Sequence, residues 1–237
     1  MGNKIIKKLI CTVIVSILLT QLFQYTVYAD SSFVNKSSKD EITILIDPGH
    51  GGMDGGAKTK DGIIEKDINL KISMKLRDRL KKQGYKVFMT RNTDKGLYGS
   101  EGKIRKKKIE DLNNRVKLKK DTHCDMFVSI HLNMFPQSKY YGAQVWYSKN
   151  DESKKLARIV QNNLIQDLDR NNNRREKAAS NLYKILREND TMPSIIVECG
   201  FLSNYEEKQK LISDSYQEKI AASLSKSINE YYENLNK

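Results

Sequence analysis

Cysteine and histidine are scarce in this 237-residue sequence, with three of each. Cys11 falls in an apolar N-terminal stretch, so only Cys124 and Cys199 belong to the part expected to fold. One precedes an expected strand and the other follows one. On parallel strands of about six residues, at roughly 3.3 Å per residue, they stand about 20 Å apart. A disulfide needs Cα atoms within about 7 Å. Two free thiols are therefore expected, and no zinc site built on cysteine. Other absences narrow the chemistry. No G-x-S-x-G occurs, which removes support for a serine triad of that type. No G-K-[S/T] follows the glycines at 49–62, and the third glycine of a G-x-G-x-x-G read from Gly49 falls on Asp54, so a phosphate loop is unsupported. There is no basic patch interleaved with aromatics and no nucleic-acid motif, and there are no internal repeats.

Charge of one sign is in excess. Lysine and arginine total 42 against 29 acidic residues, a formal net charge of +13. Residues 1–29 read as an export signal: Lys4, Lys7 and Lys8 are a basic start, Leu9 to Leu19 is an apolar run too short to span a bilayer, and Val27-Tyr28-Ala29 is a small-residue cleavage pattern before Asp30. The competing reading is an uncleaved N-terminal membrane anchor. Cleavage removes three lysines and no acid, leaving +10. Such a charge implies a polyanionic partner. Export argues against nucleic acid and leaves anionic membrane or cell wall. Residues 30–41 are a polar linker.

Beyond it, apolar periodicity predicts strands at 42–46, 85–90, 126–130, 142–147 and 194–197. Helices are predicted at 66–83, 109–120, 153–168, 178–187, 206–211 and 216–232. The first helix repeats Ile68, Ile72, Leu76 and Leu80 and stops at Gly84. In the second, Leu112, Val116 and the Lys119 stem share one side. Residues 93–108 read as an exposed polar excursion and 169–177 as a polar loop. Alternating strands and helices predict a single α/β domain with a mostly parallel central sheet and helices on both faces. Such sheets bind ligands beyond the carboxyl ends of their strands. Asp47 to His50, Arg91, His131 and Glu198 are each expected just past a separate strand end.

Hydrolytic zinc sites use three histidine or carboxylate ligands and keep one position open. His50 and His131 offer two nitrogens. Glu65, at the first helix start, is the best third ligand, with Asp54 and Asp61 as rivals on the glycine loop. Glu65 could equally serve the helix N-terminus electrostatically. His123 lies at the wrong end of its strand for ligation. Glu198, after Ile195-Ile196-Val197, is placed to act as general base and then acid.

Five segments occur in order: D-P-G-H-G-G at 47–52, E-K at 65–66, T-R at 90–91, F-V-S-I-H-x-N at 127–133 and V-E-C-G-F-L-S-N at 197–204. Together they resemble the zinc-dependent N-acetylmuramoyl-L-alanine amidases of the amidase-3 type. The resemblance implies a catalytic domain over residues 42–235, zinc held by His50, Glu65 and His131, and Glu198 as the catalytic glutamate. It implies a peptidoglycan substrate cut between the lactyl group of muramic acid and L-alanine. Arg91 and Asn133 are expected near the site, orienting ligands or substrate, and Asp47 is expected to orient the His50 imidazole. The stretch at 94–111, with K-G-L-Y and I-R-K-K-K-I-E-D-L, resembles the subgroup acting on spore cortex, where muramic-δ-lactam is formed. The autoinhibitory insertion of cell-division relatives has no counterpart after Trp146. No wall-binding repeats are appended, so targeting is expected to rest on charge or a protein partner. A wall-directed zinc deacetylase and a non-catalytic wall-binding module are the competing readings.

Overall fold

The computed structural model describes residues 42–235. The expected export signal and most of the linker lie outside them. Six strands form one sheet: β1 (Thr43–Pro48), β2 (Lys86–Met89), β3 (Met126–Asn133), β4 (Gln144–Tyr147), β5 (Lys177–Ala178) and β6 (Ser194–Phe201). The order is β2-β1-β3-β6-β4-β5. All neighbours pair in parallel except β4 with β6. The connection at 134–143 is too short for a parallel crossover, which takes a dozen or more residues, so β4 returns antiparallel. The α/β architecture expected from the sequence is the one present.

Six helices surround the sheet: α1 (Glu65–Lys82), α2 (Ile104–Asp121), α3 (Asp151–Leu168), α4 (Lys184–Arg187), α5 (Tyr205–Ile212) and α6 (Asp214–Leu235). Side chains alternate across each strand. Ile44, Ile46, Val128, Ile130, Val145, Ile195 and Val197 face the large apolar layer under α1, α3 and α6. In α1 the buried residues Ile68, Ile72, Leu76 and Leu80 carry the i+4 repeat seen in the sequence. Leu45, Phe127 and Ile196 face the other way, onto a smaller cluster with Ala179, Ile185, Leu186 and Met192.

Three expectations change. Residues 104–108 belong to α2, so the polar excursion ends at Lys103. The helix expected at 178–187 reduces to α4, because Lys177–Ala178 pairs with β4 as an extra edge strand. In α2 the buried residues are Arg115 and Lys119, while Leu112 is exposed. Cys124 and Cys199 are both free thiols.

Candidate metal centre

β1 delivers the first ligand by ending in a forced turn. Pro48 closes the strand, and His50 takes a left-handed backbone (φ 63°), rare for a residue with a Cβ. Two buried arginines hold that turn by its carbonyls. Arg91 donates from Nε to Pro48 O (2.9 Å) and from Nη2 to Gly49 O (2.9 Å). Arg115 donates from Nη1 to Pro48 O (3.0 Å) and from Nη2 to His50 O (2.6 Å). Asp47, fully buried, pairs with Arg115 and accepts from Thr90 Oγ1 (2.6 Å) and Ser129 Oγ (2.7 Å). Burial alone would raise the Asp47 carboxyl, but Arg115 and the two hydroxyls hold it below the usual carboxylate range.

His50, Glu65 and His131 offer ligand atoms all within 4.8 Å of one another. Glu65 Oε1 lies 3.2 Å from His50 Nε2 and 3.1 Å from His131 Nδ1. The same oxygen accepts from Leu132 N–H (3.0 Å) and Asn69 Nδ2 (3.2 Å), and Oε2 accepts from Ala57 N–H (2.8 Å). Two glycines make room. A Cβ on Gly49 would sit 2.3 Å from the His131 ring, and one on Gly56 2.5 Å from Glu65 Oε2. Burial opposes the charged forms of His50 and Glu65, yet pairing wins. Bonds to Asp54 and Glu65 raise the His50 imidazole to about 9, and both histidines hold Glu65 far below its normal range. Two imidazoles and a carboxylate form a donor set that suits a divalent zinc ion with an open position.

His131 and Glu198 are not past strand ends, as the sequence suggested, but inside β3 and β6. They are paired across the two strands, so both side chains leave the same face. The register then slips: His131 opposes Glu198, but Asn133 opposes Phe201. A bulge at this point re-aims the strand end beside the cluster. Glu198 is 8% exposed, and its Oε2 is buried without a hydrogen-bond partner. Burial is the main cause that pushes its carboxyl up to about 7, helped by Glu65 and opposed by the two histidines.

Four residues have other surroundings than expected. Asp47 does not touch the imidazole; His50 Nδ1 meets Asp54 Oδ2 at 2.9 Å. Asp54, weighed as a ligand, instead bridges His50 to Lys108 Nζ (2.9 Å) on α2. Arg91 is 2% exposed and spends its guanidinium on backbone carbonyls, including Lys66 O and Thr93 O, so it shapes the turn and does not face a substrate. Asn133 Oδ1 accepts from Met134 N–H (3.0 Å). Asp61, the other rival ligand, pairs with Lys208. His123 is absent from the cluster. The reading of the sequence missed Arg115 and Lys108. Their signal was slight: Arg115 looks like an ordinary surface cation of a charged helix, and Lys108 falls in the stretch read as an exposed excursion.

An α/β sheet that gathers these carboxylates and histidines at the carboxyl ends of its central strands defines a hydrolase with a site that suits a metal. The family profile for N-acetylmuramoyl-L-alanine amidase matches residues 44–230, and the chain belongs to that family. It is 41% identical over 192 residues to a germination-specific N-acetylmuramoyl-L-alanine amidase of Bacillus subtilis, covering 80% of this chain and 79% of that one. Among solved structures, the CwlD amidase of Clostridioides difficile, in complex with the GerS lipoprotein, superposes with a TM-score of 0.78 at 43% identity, covering 81% of this chain and 99% of that one. An N-acetylmuramoyl-L-alanine amidase from Clostridium difficile 630 follows at 0.69 and 34% identity, covering 82% and 98%.

Proposed function

We propose that this amidase cleaves the bond between the lactyl carbonyl of N-acetylmuramic acid and the nitrogen of L-alanine, with zinc held by His50, Glu65 and His131. The reading rests on one observation above the others: a buried glutamate with an unpartnered oxygen stands next to the His–Glu–His cluster. Zinc, when bound, supplies Lewis acidity toward the scissile carbonyl and the attacking water. Glu198 takes a proton from that water. With a pKa lifted toward neutrality by burial, it returns the proton to the departing nitrogen. Asp54 orients His50 through Nδ1, and the orphan carbonyls of the turn are fixed by Arg91 and Arg115.

The substrate is peptidoglycan outside the cytoplasm, reached by export through residues 1–29. The membrane is touched only if that segment stays uncleaved. The likeness to a germination-specific relative supports a role in spore cortex, where removal of the stem peptide prepares muramic-δ-lactam. The likeness to an amidase solved with a lipoprotein supports a regulatory or targeting protein partner.

Mass spectrometry of products from purified sacculi, with and without chelator, tests the reading. New L-alanine amino termini that disappear on chelation are expected. Free acetate instead would identify a deacetylase, and no product together with no bound zinc would identify a binding module.

A further inference from the structure

A compact aromatic platform adjoins the site and has no part in the chemistry above. It lies on the segment 134–143, between β3 and β4. Phe135 packs edge-to-face on the buried Phe201 (centroids 5.2 Å, 72°) and on Tyr140 (5.3 Å, 86°). The Arg174 guanidinium covers Phe201 at 4.5 Å and donates from Nε to Tyr141 O (2.7 Å). The backbone is pinned as well. Phe135 N–H donates to Ser203 Oγ (3.1 Å), and Asn204 Nδ2 donates to Ser138 O (2.9 Å). Yet Met134, Phe135 and Tyr141 are each about two-fifths exposed (41%, 41% and 42%). A segment held this firmly does not need to show its aromatics to water.

We propose that this platform is a glycan subsite, on which a pyranose ring of the peptidoglycan strand stacks against Phe135. The ligand class rests on the peptidoglycan reading; the surface does not. A pyranose turns a face of C–H groups outward with its hydroxyls at the rim. The negative face of an aromatic ring attracts such C–H groups, and polar groups at the edge receive the hydroxyls. Phe135 supplies the ring. Arg174, which covers the neighbouring Phe201, supplies the polar border, and the Tyr141 hydroxyl, which donates to Asn171 O (3.4 Å), offers its lone pairs. Placement agrees: Phe135 follows His131 by four residues, at most about 13 Å of extended chain. A polymer cut beside His131 and Glu198 must lay its neighbouring sugars on surface at that range. The exposed apolar area is three side chains, which suits a sugar ring better than a protein, whose interface usually takes 20–30 residues a side.

The test titrates isotope-labelled protein with chitotetraose, a β-1,4 N-acetylglucosamine oligomer without peptide. Amide shifts confined to 134–141 and Arg174 are expected. Phe135→Ala should weaken them about tenfold, the loss of one ring contact. Phe135→Leu keeps apolar contact with Phe201 and removes only the stacking face, so it should lose binding alike if the alanine variant distorts the loop. In hydrolysis, KM for multi-sugar muropeptides should rise about tenfold in Phe135→Leu, with kcat unchanged and no effect on a single-sugar muramyl dipeptide. Shifts elsewhere, shifts retained in Phe135→Leu, or equal losses on both substrates overturn the proposal. Shifts produced by a sugar-free stem peptide in place of chitotetraose overturn it in favour of a peptide subsite. Wild-type protein that binds chitotetraose but cleaves no muropeptide would sink the amidase reading and leave the platform standing.

Discussion

On one side of the sheet, Ile44, Ile46, Val128, Ile130 and Val197 meet α1, α3 and α6 in a continuous apolar layer. On the other side α2 reaches the sheet through Arg115 and Lys119. Arg115 pairs with Asp47. Lys119 donates from Nζ to Ile185 O (3.0 Å) and Glu188 O (3.1 Å) and lies 5.0 Å over the Phe127 ring. Burial pushes the Lys119 ammonium down to about 8. The first side is built from non-directional burial, worth about 1.5–3 kcal/mol per large side chain. It holds the fold without caring about angles. The second has a smaller apolar cluster and adds to it directed bonds, each costly to leave unmade. That is the side from which His131 and Glu198 emerge and on which Arg115 grips the His50 turn. Chemistry needs fixed angles, and the polar side supplies them.

The comparison can be broken first at its centre. Glu198→Gln should lower turnover on muropeptides by about 10³-fold, within the range for a lost general acid–base, while bound zinc stays near the wild-type level. A loss of zinc in step with activity would move Glu198 from catalysis to ligation.

Arg115→Leu leaves Asp47 charged and unpaired in the interior. It should cost about 3–5 kcal/mol in denaturant unfolding and abolish most activity by freeing the turn. Adding Asp47→Leu removes the orphan charge and should restore much of the stability but none of the activity. Leu76→Ala, on the apolar side, should cost about 2–5 kcal/mol and leave kcat intact where the variant is folded. If Leu76→Ala cut kcat as deeply as the Arg115 and Asp47 pair, the two sides would not differ as described.

The pH profile separates the sides more gently. In the proposed mechanism Glu198 is ionised to act as base, so kcat/KM should rise with pH as its burial-raised carboxyl ionises and then level. Stability of the metal-free protein should run the other way. A carboxyl whose folded pKa is raised from 4.5 to about 7 contributes stability that is present below 4.5 and lost as pH climbs to 7. Glu198→Gln should flatten that decline, by on the order of 3 kcal/mol between the two limits. Smallest of all, Lys108→Ala removes a half-exposed partner of Asp54. It should change stability by less than about 1 kcal/mol and kcat only a few-fold. Thermal melts and steady-state rates on one preparation measure both.

Much of this was legible along the chain. The i+4 repeat in α1 and the apolar runs of β1, β3 and β6 mark a core whichever way the strands pair. His50, His131 and Glu198 stood out because each follows an apolar run, whereas Glu65 was one of three carboxylates that spacing left open until the family resemblance chose it. Arg115 did not. On a helix crowded with lysines, nothing local separates a cation that faces solvent from one aimed at a buried carboxylate 68 positions away. Asp54 took the role expected of Asp47 for the same reason: which carboxylate meets an imidazole depends on the turn between them. The bulge opposite His131 was invisible because it belongs to a pair of strands, not to either one.

By itself, then, the sequence determined the α/β alternation, the apolar layer and which polar side chains close its apolar runs, since these depend on period and residue type. Only the tertiary structure decided that β4 runs antiparallel, that His131 and Glu198 emerge side by side, and that two arginines hold the His50 turn. Those outcomes hang on strand register and on charges paired across long stretches of chain, where a shift of one residue turns a side chain to the opposite face.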